Sequence, residues 1–329
     1  MSEAAQYGEA RSKSVIGKAM GKHPDLRSSA QEVMQVIDEV IDEVNKMDSK
    51  DLELYKPEKK KKQEKAKPRE LPPLNQTDKV VLRFAPGPSG PLHLGHTRAL
   101  ALNNYYKKRY GGKLVLRLED TNPNAIDEKA YDLIQEDLKW LDIEADEVII
   151  QSDRIDIYYE DIRKIISSGG AYVTKSDAEE WRELKRQSQA HPDRNRTPEV
   201  QMKEFDSLLD GDNGIVVIKT NLEDPNPALR DFVALRIVDT PHPLQGDKYR
   251  LWPLYNFAVA VDDYRLGITH VLRGKDHLNN TEKQRWIYKY LDWKEPEFIH
   301  YGLVAIPNTN LKTSKIRESI TSGEFTGWD

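Results

Sequence analysis

The sequence of 329 residues contains no cysteine. That absence excludes a disulfide framework, a cysteine nucleophile and zinc sites built from cysteine. Long hydrophobic runs are also lacking, since none approaches the roughly 20 residues that a membrane helix needs. The N-terminus does not show the basic-then-apolar order of a signal peptide. The sequence therefore predicts a cytoplasmic protein.

Positive charge is not in excess either, because 55 acidic residues outweigh 50 basic ones and give a formal net charge of −5. A chain with this balance does not attract nucleic acid over its whole surface, so any RNA contact must come from local basic regions. The length allows two or three domains, and 38% hydrophobic residues is low but sufficient for packed cores.

The most informative stretch is Arg83–His96, which reads Arg-Phe-Ala-Pro-Gly-Pro-Ser-Gly-Pro-Leu-His-Leu-Gly-His. Before it, the apolar and β-branched segment 79–84 predicts a buried strand. After it, apolar residues at helical spacing predict a helix over 97–110, and 113–119 predicts a second strand. Units of strand, loop, helix and strand build parallel α/β sheets, so this fold class is expected.

The loop between that strand and helix predicts a phosphate site. Its prolines and glycines can hold backbone N–H groups in fixed positions, and a helix N-terminus follows directly. His93 and His96 are three residues apart, so both imidazoles can donate to developing phosphate charge, and Gly95 leaves room for a flat base. A metal site on the two histidines is the weaker alternative because it needs a third ligand.

Arg-Phe-Ala-Pro followed by His-Leu-Gly-His resembles the ATP motif of class I aminoacyl-tRNA synthetases, in the glutamyl and glutaminyl branch. The resemblance covers about residues 78–329. It implies a Rossmann-like α/β catalytic domain with a parallel sheet and an inserted α+β subdomain for the tRNA acceptor end. ATP and Mg²⁺ are the implied cofactors, with Mg²⁺ bound through the phosphates. The residues expected at ATP are Ala85, Pro86, Ser89, Gly90, Gly95, Asp276 and Lys315.

A second segment, Asn-Leu-Lys-Thr-Ser-Lys at 310–315, stands where this family has a mobile Lys-Met-Ser-Lys-Ser loop. Asn310 replaces the first lysine and Thr313 the second, the latter a substitution familiar in archaeal-type members. Lys312 and Lys315 are then left to contact the pyrophosphate leaving group, since flexible lysines can follow charge as it develops. The resemblance thus implies four catalytic residues, which are His93, His96, Lys312 and Lys315.

Arg273 is the residue that favours glutamate over glutamine as the amino acid. Relatives that activate glutamate carry arginine there, whereas those for glutamine tend to have a small uncharged residue. A desolvated guanidinium matches a carboxylate in bidentate fashion and is left uncompensated by an amide. The resemblance adds Arg83 near the amino acid, Glu119 at its α-ammonium group and Tyr255 in the pocket wall. The purely structural alternatives are that Arg273 and Glu119 pair with each other or with other charges, and that Tyr255 is only a core residue.

The basic helix predicted at 178–188 supplies three candidate tRNA contacts, Arg182, Lys185 and Arg186, although a solvated helix face would look the same. Thr174 and Lys175 stand where zinc-binding relatives begin their cysteine ligands, so no structural zinc is expected. A monomer is expected as well.

The N-terminal region is expected to be helical. Ser29 and Glu32 predict a capping box, and an apolar stripe at helical spacing follows and needs a partner helix. That stripe consists of Val33, Ile37, Val40, Val44 and Met47. The predicted partner is a shorter helix with Val15, Ile16 and Met20.

The chain is predicted to divide into six segments, in this order: a helical module (1–50), a basic Pro/Lys-rich linker (51–77), the first half of the catalytic fold (78–171), the acceptor-end insertion (172–245), the second catalytic half (246–305), and the lysine loop with the start of a stem-contact region (306–329). Family members continue into two anticodon-binding β-barrels, so the sequence is expected to be the N-terminal part of a longer enzyme.

The expected function is ATP-dependent attachment of glutamate to the 3′ end of tRNA(Glu) through a glutamyl-adenylate, with tRNA(Gln) left open as a second acceptor. A glutaminyl-tRNA synthetase is one alternative, because the Asp-Thr-Asn-Pro segment at 120–123 is shared with glutamine enzymes. A non-catalytic tRNA- or nucleotide-binding paralogue and a truncated enzyme that glutamylates a modified base are the others.

Overall fold

The computed structural model describes residues 1–23, 29–55, 70–302 and 322–323. The chain divides into two compact units, Met1–Pro73 and Leu74–Asp329. The predicted lysine loop and most of the predicted basic linker lie outside the described residues. In the described part, no helix is long and apolar enough to cross a bilayer.

The first unit is helical, as predicted, and its core is formed by Ala4, Ala10, Ile41, Val44 and Leu52. Asn45 ties it together, because its side chain accepts from the Ala10 N–H at 2.8 Å and donates to the Ala10 carbonyl at 3.1 Å. The helices are α1 (Ser2–Tyr7), α2 (Ser12–Lys22), α3 (Ala30–Val44) and α4 (Ser49–Glu53). Helix α4 continues past the predicted end of the module at residue 50.

Two details predicted for the N-terminal module are wrong. The Ser29 side chain makes no capping hydrogen bond, so the capping box is not formed. Val40 is 50% exposed, and the buried position is taken by Ile41 at 8% exposure. A helix with 3.6 residues per turn brings 37, 41 and 44 to one side, so the buried stripe follows this spacing rather than the predicted one. The partner helix is confirmed, since α2 packs against α3.

The second unit begins with a three-stranded parallel sheet of β1 (Val81–Phe84), β2 (Lys113–Leu118) and β3 (Glu147–Ile150), with β2 in the centre. Helices α5 (Leu94–Tyr110) and α6 (Ala130–Trp140) connect the strands. β1 is buried throughout and β2 is buried except at its first residue, which is typical of parallel strands covered on both faces. The predicted strand, loop, helix and strand unit is therefore confirmed.

A second parallel pair, β8 (His270–Gly274) and β9 (Glu297–Tyr301), lies beside β1. The Thr269 N–H donates to the Val81 carbonyl at 2.9 Å, and Val81, Val115, Ile268 and Val271 form one apolar cluster. Helices α10 (Tyr255–Arg265) and α11 (Leu278–Leu291) flank this half. The carboxyl ends of β1, β2 and β8 consequently meet at one edge, where ligands bind in such sheets.

The inserted subdomain is an antiparallel sheet in the order β4 (Ala171–Thr174), β5 (Ile215–Ile218), β6 (Phe232–Ile237) and β7 (Leu251–Pro253). Helices α8 (Ala178–Arg186) and α9 (Pro198–Leu209) belong to it, and α7 (Ile155–Ser167) leads into it. The β-rich insertion was expected, but β7 lies beyond the predicted end at 245 because it pairs with β6 instead of joining the parallel sheet.

Candidate active site

A cavity of about 320 Å³ opens at the edge where β1, β2 and β8 end. Each wall comes from a different element, because β1, the following loop, α5, the end of β2, α10 and β8 all contribute one or more side chains. The structure thus brings together seven of the predicted site residues, which are Arg83, Ala85, Pro86, His96, Glu119, Tyr255 and Arg273.

His93 and His96 lie at the N-terminus of α5 with their ring centroids 3.9 Å apart. His93 Nδ1 accepts from the Gly95 N–H at 3.0 Å, and His96 Nδ1 accepts from the His93 N–H at 3.1 Å. Since each Nδ1 is an acceptor, a neutral ring must carry its proton on Nε2. The backbone therefore sets both imidazoles as Nε2–H donors.

Burial keeps these rings neutral. It lowers the pKa of His93, and burial followed by the charge of His93 lowers the pKa of His96 to about 4. At neutral pH the pair offers hydrogen-bond donors without a positive charge, a state suited to following charge that develops on a phosphate.

The His93 ring lies next to Gly95, where the sequence predicted room for a flat base. A Cβ on Gly95 would lie 2.7 Å from Cε1 of the His93 ring. The glycine is thus needed to let His93 fold over the start of α5, which is a different reason from the predicted one.

The remaining predicted ATP contacts lie outside the lining of this cavity. Ser89 forms a turn through its N–H, which donates to the Gly87 carbonyl at 2.9 Å, and Gly90 adopts a φ of 145°. The Asp276 carboxylate is on the surface, 3.6 Å from Nε2 of His277, which does line the cavity. Lys312 and Lys315 lie outside the described residues.

A chain of buried charges supports the floor of the cavity. Asp263 Oδ1 accepts from Arg83 Nε at 3.2 Å and from Arg117 Nη1 at 2.7 Å. Arg117, which is fully buried, also donates through Nη2 to Glu119 Oε1 at 2.9 Å. Two of the predicted glutamate-binding residues, Arg83 and Glu119, are therefore linked through Arg117 and Asp263.

This network sets the charge states in the site. Burial opposes ionisation of Asp263, but Arg83 and Arg117 hold its pKa below the usual value. Burial raises the pKa of Glu119 although Arg117 and Arg83 oppose it, so a further cation beside this side chain would favour its ionised form.

Sequence reasoning missed both Arg117 and Asp263. A signal was present, since an arginine interrupts the otherwise apolar strand Leu-Val-Leu-Arg-Leu and two acids follow a buried apolar segment. Charges in such positions need partners when they are buried.

Arg273 is 5% exposed, yet no carboxylate lies within salt-bridge distance of it in the described part of the chain. Its Nη2 donates to Thr281 Oγ1 and to Gln284 Oε1, while Nε and Nη1 are buried without a hydrogen-bond partner among the described residues. The alternative pairing with Glu119 does not occur, because Glu119 is paired with Arg117. The cavity is thus lined by a buried guanidinium that retains unused donors.

Tyr255 also lines this cavity, and its hydroxyl is 3.2 Å from His277 Nδ1. Burial, followed by the charge of Glu119, raises its pKa to about 12, so the phenol stays neutral and remains available as a hydrogen-bonding wall.

A second cavity of about 520 Å³ lies where the inserted subdomain meets the catalytic fold, and it shares Gly87, Glu119 and Tyr255 with the first. Lys185 of α8 and Lys283 of α11 both line it. Their ammonium groups lie over aromatic rings, Lys185 at 5.3 Å from the Trp181 centroid and Lys283 at 5.8 Å from the Phe232 centroid.

The ammonium groups of the two lysines are partly buried. Burial, followed by the charge of Lys283, lowers the pKa of Lys185 to about 8, and burial lowers the pKa of Lys283. Arg182 and Arg186 differ from Lys185, because they pair with Glu179 and Glu183 on the exposed face of the same helix. The structure thus places one of the three predicted tRNA contacts in a cavity. Among the described residues, no group of three or more acidic or histidine side chains could hold a metal ion.

Residues 79–329 match the family described as tRNA synthetases class I (E and Q), catalytic domain. The chain belongs to the class I tRNA synthetases of the E and Q group. Membership in this family accounts for the position of the site at the carboxyl edge of a Rossmann-like parallel sheet, and for the inserted subdomain.

Curated relatives of this class I synthetase include archaeal proteins. The glutamate–tRNA ligase of Methanocaldococcus jannaschii is 50% identical over 328 residues, which are 98% of this chain and 59% of that protein. The glutamate–tRNA ligase of Thermoplasma volcanium is 46% identical over 330 residues, 98% of this chain and 60% of that protein. The chain spans about three-fifths of the length of these relatives.

Solved synthetases share its architecture. The crystal structure of the glutamate–tRNA synthetase from Elizabethkingia anophelis is 26% identical with a TM-score of 0.57, over 75% of this chain and 54% of that one. The glutamate–tRNA ligase from Elizabethkingia meningosepticum, solved in complex with its amino acid, is 26% identical with a TM-score of 0.54, over 75% of this chain and 53% of that one.

Proposed function

We propose that this chain carries the catalytic site of a glutamate–tRNA ligase, which attaches glutamate to the 3′ end of tRNA(Glu) through a glutamyl-adenylate. The observation that carries the proposal is Arg273, a buried guanidinium with unused donors and no carboxylate partner in the described residues, at the wall of a cavity. A side-chain carboxylate would supply the missing partner in bidentate geometry, whereas an amide would leave the charge uncompensated.

The amino acid would be held between opposite charges. Glu119 would accept the α-ammonium group, Arg273 would bind the γ-carboxylate, and Arg83 and Tyr255 would complete the pocket. Support comes from the arrangement of these four side chains around one cavity. The relatives named glutamate–tRNA ligase support the choice of amino acid.

ATP would bind along the loop at 85–90 and the N-terminus of α5, where the positive end of the helix dipole favours phosphate. His93 and His96 fit this role because their Nε2–H groups donate without carrying charge. Mg²⁺ would be bound through the phosphates, since this hard cation prefers oxygen ligands and retains several waters. From the sequence, Lys312 and Lys315 would contact the pyrophosphate.

In the first step the α-carboxylate of glutamate attacks the α-phosphorus of ATP in line, forming a C–O–P bond as the bond to pyrophosphate breaks. In the second, the 2′-hydroxyl of the terminal adenosine attacks the mixed anhydride and releases AMP. No side chain acts as a nucleophile. The larger cavity, which adjoins the first at Glu119 and Tyr255, would receive the RNA 3′ end.

The setting proposed for this activity is the cytoplasm, with the protein acting as a monomer and without structural zinc. The absence of cysteine from the sequence supports the last point.

The experiment that tests the proposal is ATP–pyrophosphate exchange with glutamate or glutamine, with and without tRNA(Glu). The wild-type chain is expected to prefer glutamate and to need the tRNA. Arg273→Ala is expected to lower kcat/KM for glutamate by 100-fold or more, on the order of 3 kcal/mol, because it removes the proposed carboxylate partner.

Arg285→Ala is the matched control. Like Arg273, Arg285 has its guanidinium near the ring of Phe298, but it pairs with Glu282 and Glu295 and lines neither cavity. It is expected to leave exchange unchanged. Equal activity with glutamate and glutamine in the wild type, or full glutamate activity in Arg273→Ala, would show the assignment to be wrong.

A further inference from the structure

Three buried arginines lie in or beneath the smaller cavity, and they are held in two different ways. Arg83 is 6% exposed and Arg117 fully buried, and both are paired with carboxylates of this chain. Arg273, 5% exposed, has only neutral hydrogen-bond partners in the part of the chain that the structure describes. Because a buried charge is costly unless it is paired, the arrangement around Arg273 calls for a physical reason.

The neutral partners come from one face of α11. Thr281 and Gln284 are three residues apart, 2% and 0% exposed, and both present an oxygen to Arg273 Nη2. The Gln284 bond is 2.9 Å long. Thr281 is itself 2.8 Å from His300 Nε2 and donates to the His277 carbonyl at 3.2 Å, so its hydroxyl is fixed from three sides.

The orientation of the Gln284 amide follows from its neighbours. Arginine has donors only, so the atom facing Nη2 must be Oε1. The amide nitrogen then faces Asn256 and donates to its Oδ1 at 3.3 Å. An arginine held by two fixed neutral oxygens has a defined position and keeps its full charge, whereas a carboxylate at the same place would cancel that charge from inside the protein.

Neighbouring charges compensate Arg273 only in part, because Asp263 attracts it without a direct ion pair among the described residues. Asp263 is engaged by Arg83 and Arg117, and Arg83 contributes a second positive charge near the guanidinium. Within residues 70–302 and the other described segments, Nε and Nη1 have no hydrogen-bond partner. Arg230 gives the contrast: it is 8% exposed and also lacks a carboxylate within salt-bridge distance in the described residues, but backbone carbonyls accept from it and none of its buried nitrogens is left without a partner.

We propose that Gln284 and Thr281 are positioning residues that determine selectivity for an amino acid with an acidic side chain. They fix Arg273 with neutral oxygens and so reserve its charge for the carboxylate of the ligand. The inference rests on the proposed function, because it takes glutamate to be the amino acid that enters the cavity.

The decisive variant is Gln284→Glu, which keeps the size of the side chain and puts a carboxylate beside Arg273. In tRNA-dependent ATP–pyrophosphate exchange we expect KM for glutamate to rise about 30-fold or more, because the internal carboxylate competes with the ligand. KM for ATP should change by less than about 3-fold, and the preference for glutamate over glutamine should fall.

Thr281→Val gives a second measurement that does not introduce a charge. Loss of the hydroxyl removes one oxygen from Arg273, and we expect KM for glutamate to rise about 10-fold with kcat little changed. Thr281→Ser restores the oxygen and should restore KM to near the wild-type value.

Gln201→Glu is the matched control, since Gln201 is also a buried glutamine, 1% exposed, but lies on α9 in the inserted subdomain. Its Oε1 accepts from the Val173 N–H at 2.7 Å, and Gln201 lines neither cavity. This variant is expected to lower thermal stability while KM for glutamate stays at the wild-type value.

The outcomes separate the two proposals. If the wild-type chain neither binds glutamate by calorimetry nor supports exchange, the proposed function fails and the inference fails with it. If the wild type is active but Gln284→Glu folds, by circular dichroism, and keeps its KM for glutamate, only the inference is overturned. Should Gln284→Glu not fold, an unchanged KM in Thr281→Val overturns the inference, and a raised KM that Thr281→Ser reverses supports it.

Discussion

His93 and His96 show how single residues obtain their chemistry from the backbone. Each Nδ1 accepts a backbone N–H, which fixes the tautomer, and burial then disfavours the charged form. The pair can therefore lie 3.9 Å apart without charge repulsion at neutral pH. Protonation would break the Nδ1 bond and place two cations in contact.

His96 gives a prediction about stability and pH. Its folded pKa is about 4, against 6.5 as the ordinary value, so between these pH values the unfolded chain binds the proton more readily. Stability is therefore expected to fall as pH decreases from 6.5 towards 4, with a contribution from His96 on the order of 1–2 kcal/mol after allowance for solvent screening.

Urea unfolding at pH 7 and pH 5 would measure this effect. His96→Asn, which cannot take up the proton, should lose less stability on acidification than the wild type. His23→Asn, a change at an exposed histidine, serves as the control and should follow the wild type. An equal loss in His96→Asn and wild type would contradict the prediction.

At the scale of elements, the junction between α5 and β2 depends on two glycines for two different reasons. Gly111 has a φ of 59° and closes α5 with its N–H donating to the Lys107 carbonyl, a left-handed position that glycine adopts at low cost. Gly112 lies against β1, where a Cβ would be 2.5 Å from the Val80 carbonyl oxygen. The first is a conformational requirement and the second is a packing requirement.

Alanine substitutions should separate these reasons. Gly112→Ala must move backbone and is expected to cost about 2–4 kcal/mol of unfolding free energy, while Gly111→Ala is expected to cost about 1 kcal/mol. Gly17→Ala within α2, where a Cβ meets nothing within 4 Å, is the control and should be neutral or stabilising by up to about 1 kcal/mol. Denaturant unfolding measures all three. Equal costs at 111 and 112 would contradict the assignment.

Helix α11 contacts Arg273 of the smaller cavity with one face and lines the larger cavity with another. Thr281 and Gln284 are one turn apart and face Arg273, whereas Lys283 lies between them in sequence and lines the larger cavity. A helix with 3.6 residues per turn rotates neighbouring side chains by about 100°, which permits this division. One element thereby links the site proposed for the amino acid to the site proposed for the RNA end.

At the scale of the second unit, the inserted subdomain and the catalytic fold share one apolar core. Residues of α7, α9, α10 and α11 pack with Val216, Leu235 and Trp252 of the antiparallel sheet. Because the core is continuous, the larger cavity has fixed walls on both sides. The geometry places Lys185 and Lys283 across it from separate subdomains.

This arrangement predicts a specific effect on RNA binding. Lys185→Ala combined with Lys283→Ala is expected to weaken binding of tRNA(Glu) by about 10-fold or more and to reduce the slope of log K against log salt by about 1–2. Glutamate and ATP binding should be unaffected. Filter binding at several salt concentrations measures the tRNA affinity and the salt slope, and calorimetry measures the binding of glutamate and ATP.

Lys289→Ala is the control for the lysine pair. Lys289 lies on the same helix with its ammonium group 4.7 Å from the Trp286 centroid, but it is exposed and does not line the cavity. It should leave the salt slope close to wild type. If Lys289→Ala lowers the slope as much as the double variant, the cavity has no special role in RNA binding.

The sequence by itself determined the features that depend on neighbouring residues. Helical and strand periodicity fixed β1, α5 and β2, and the Pro/Gly loop with His93 and His96 indicated the nucleotide motif and hence the family. Local rules failed where a choice between adjacent positions depends on packing, as with Val40 and Ile41, and at Ser29, whose side chain does not form the expected capping bond.

Only the tertiary structure decided which charges meet. Arg117 and Asp263 are 146 residues apart in the chain, and β7 pairs with β6 across a long connection, so no spacing rule reports either contact. The same holds for Arg273, whose charge is plain in the sequence but whose freedom from a carboxylate is not. Burial and pairing are properties of the folded arrangement, because they depend on which distant segments exclude water together.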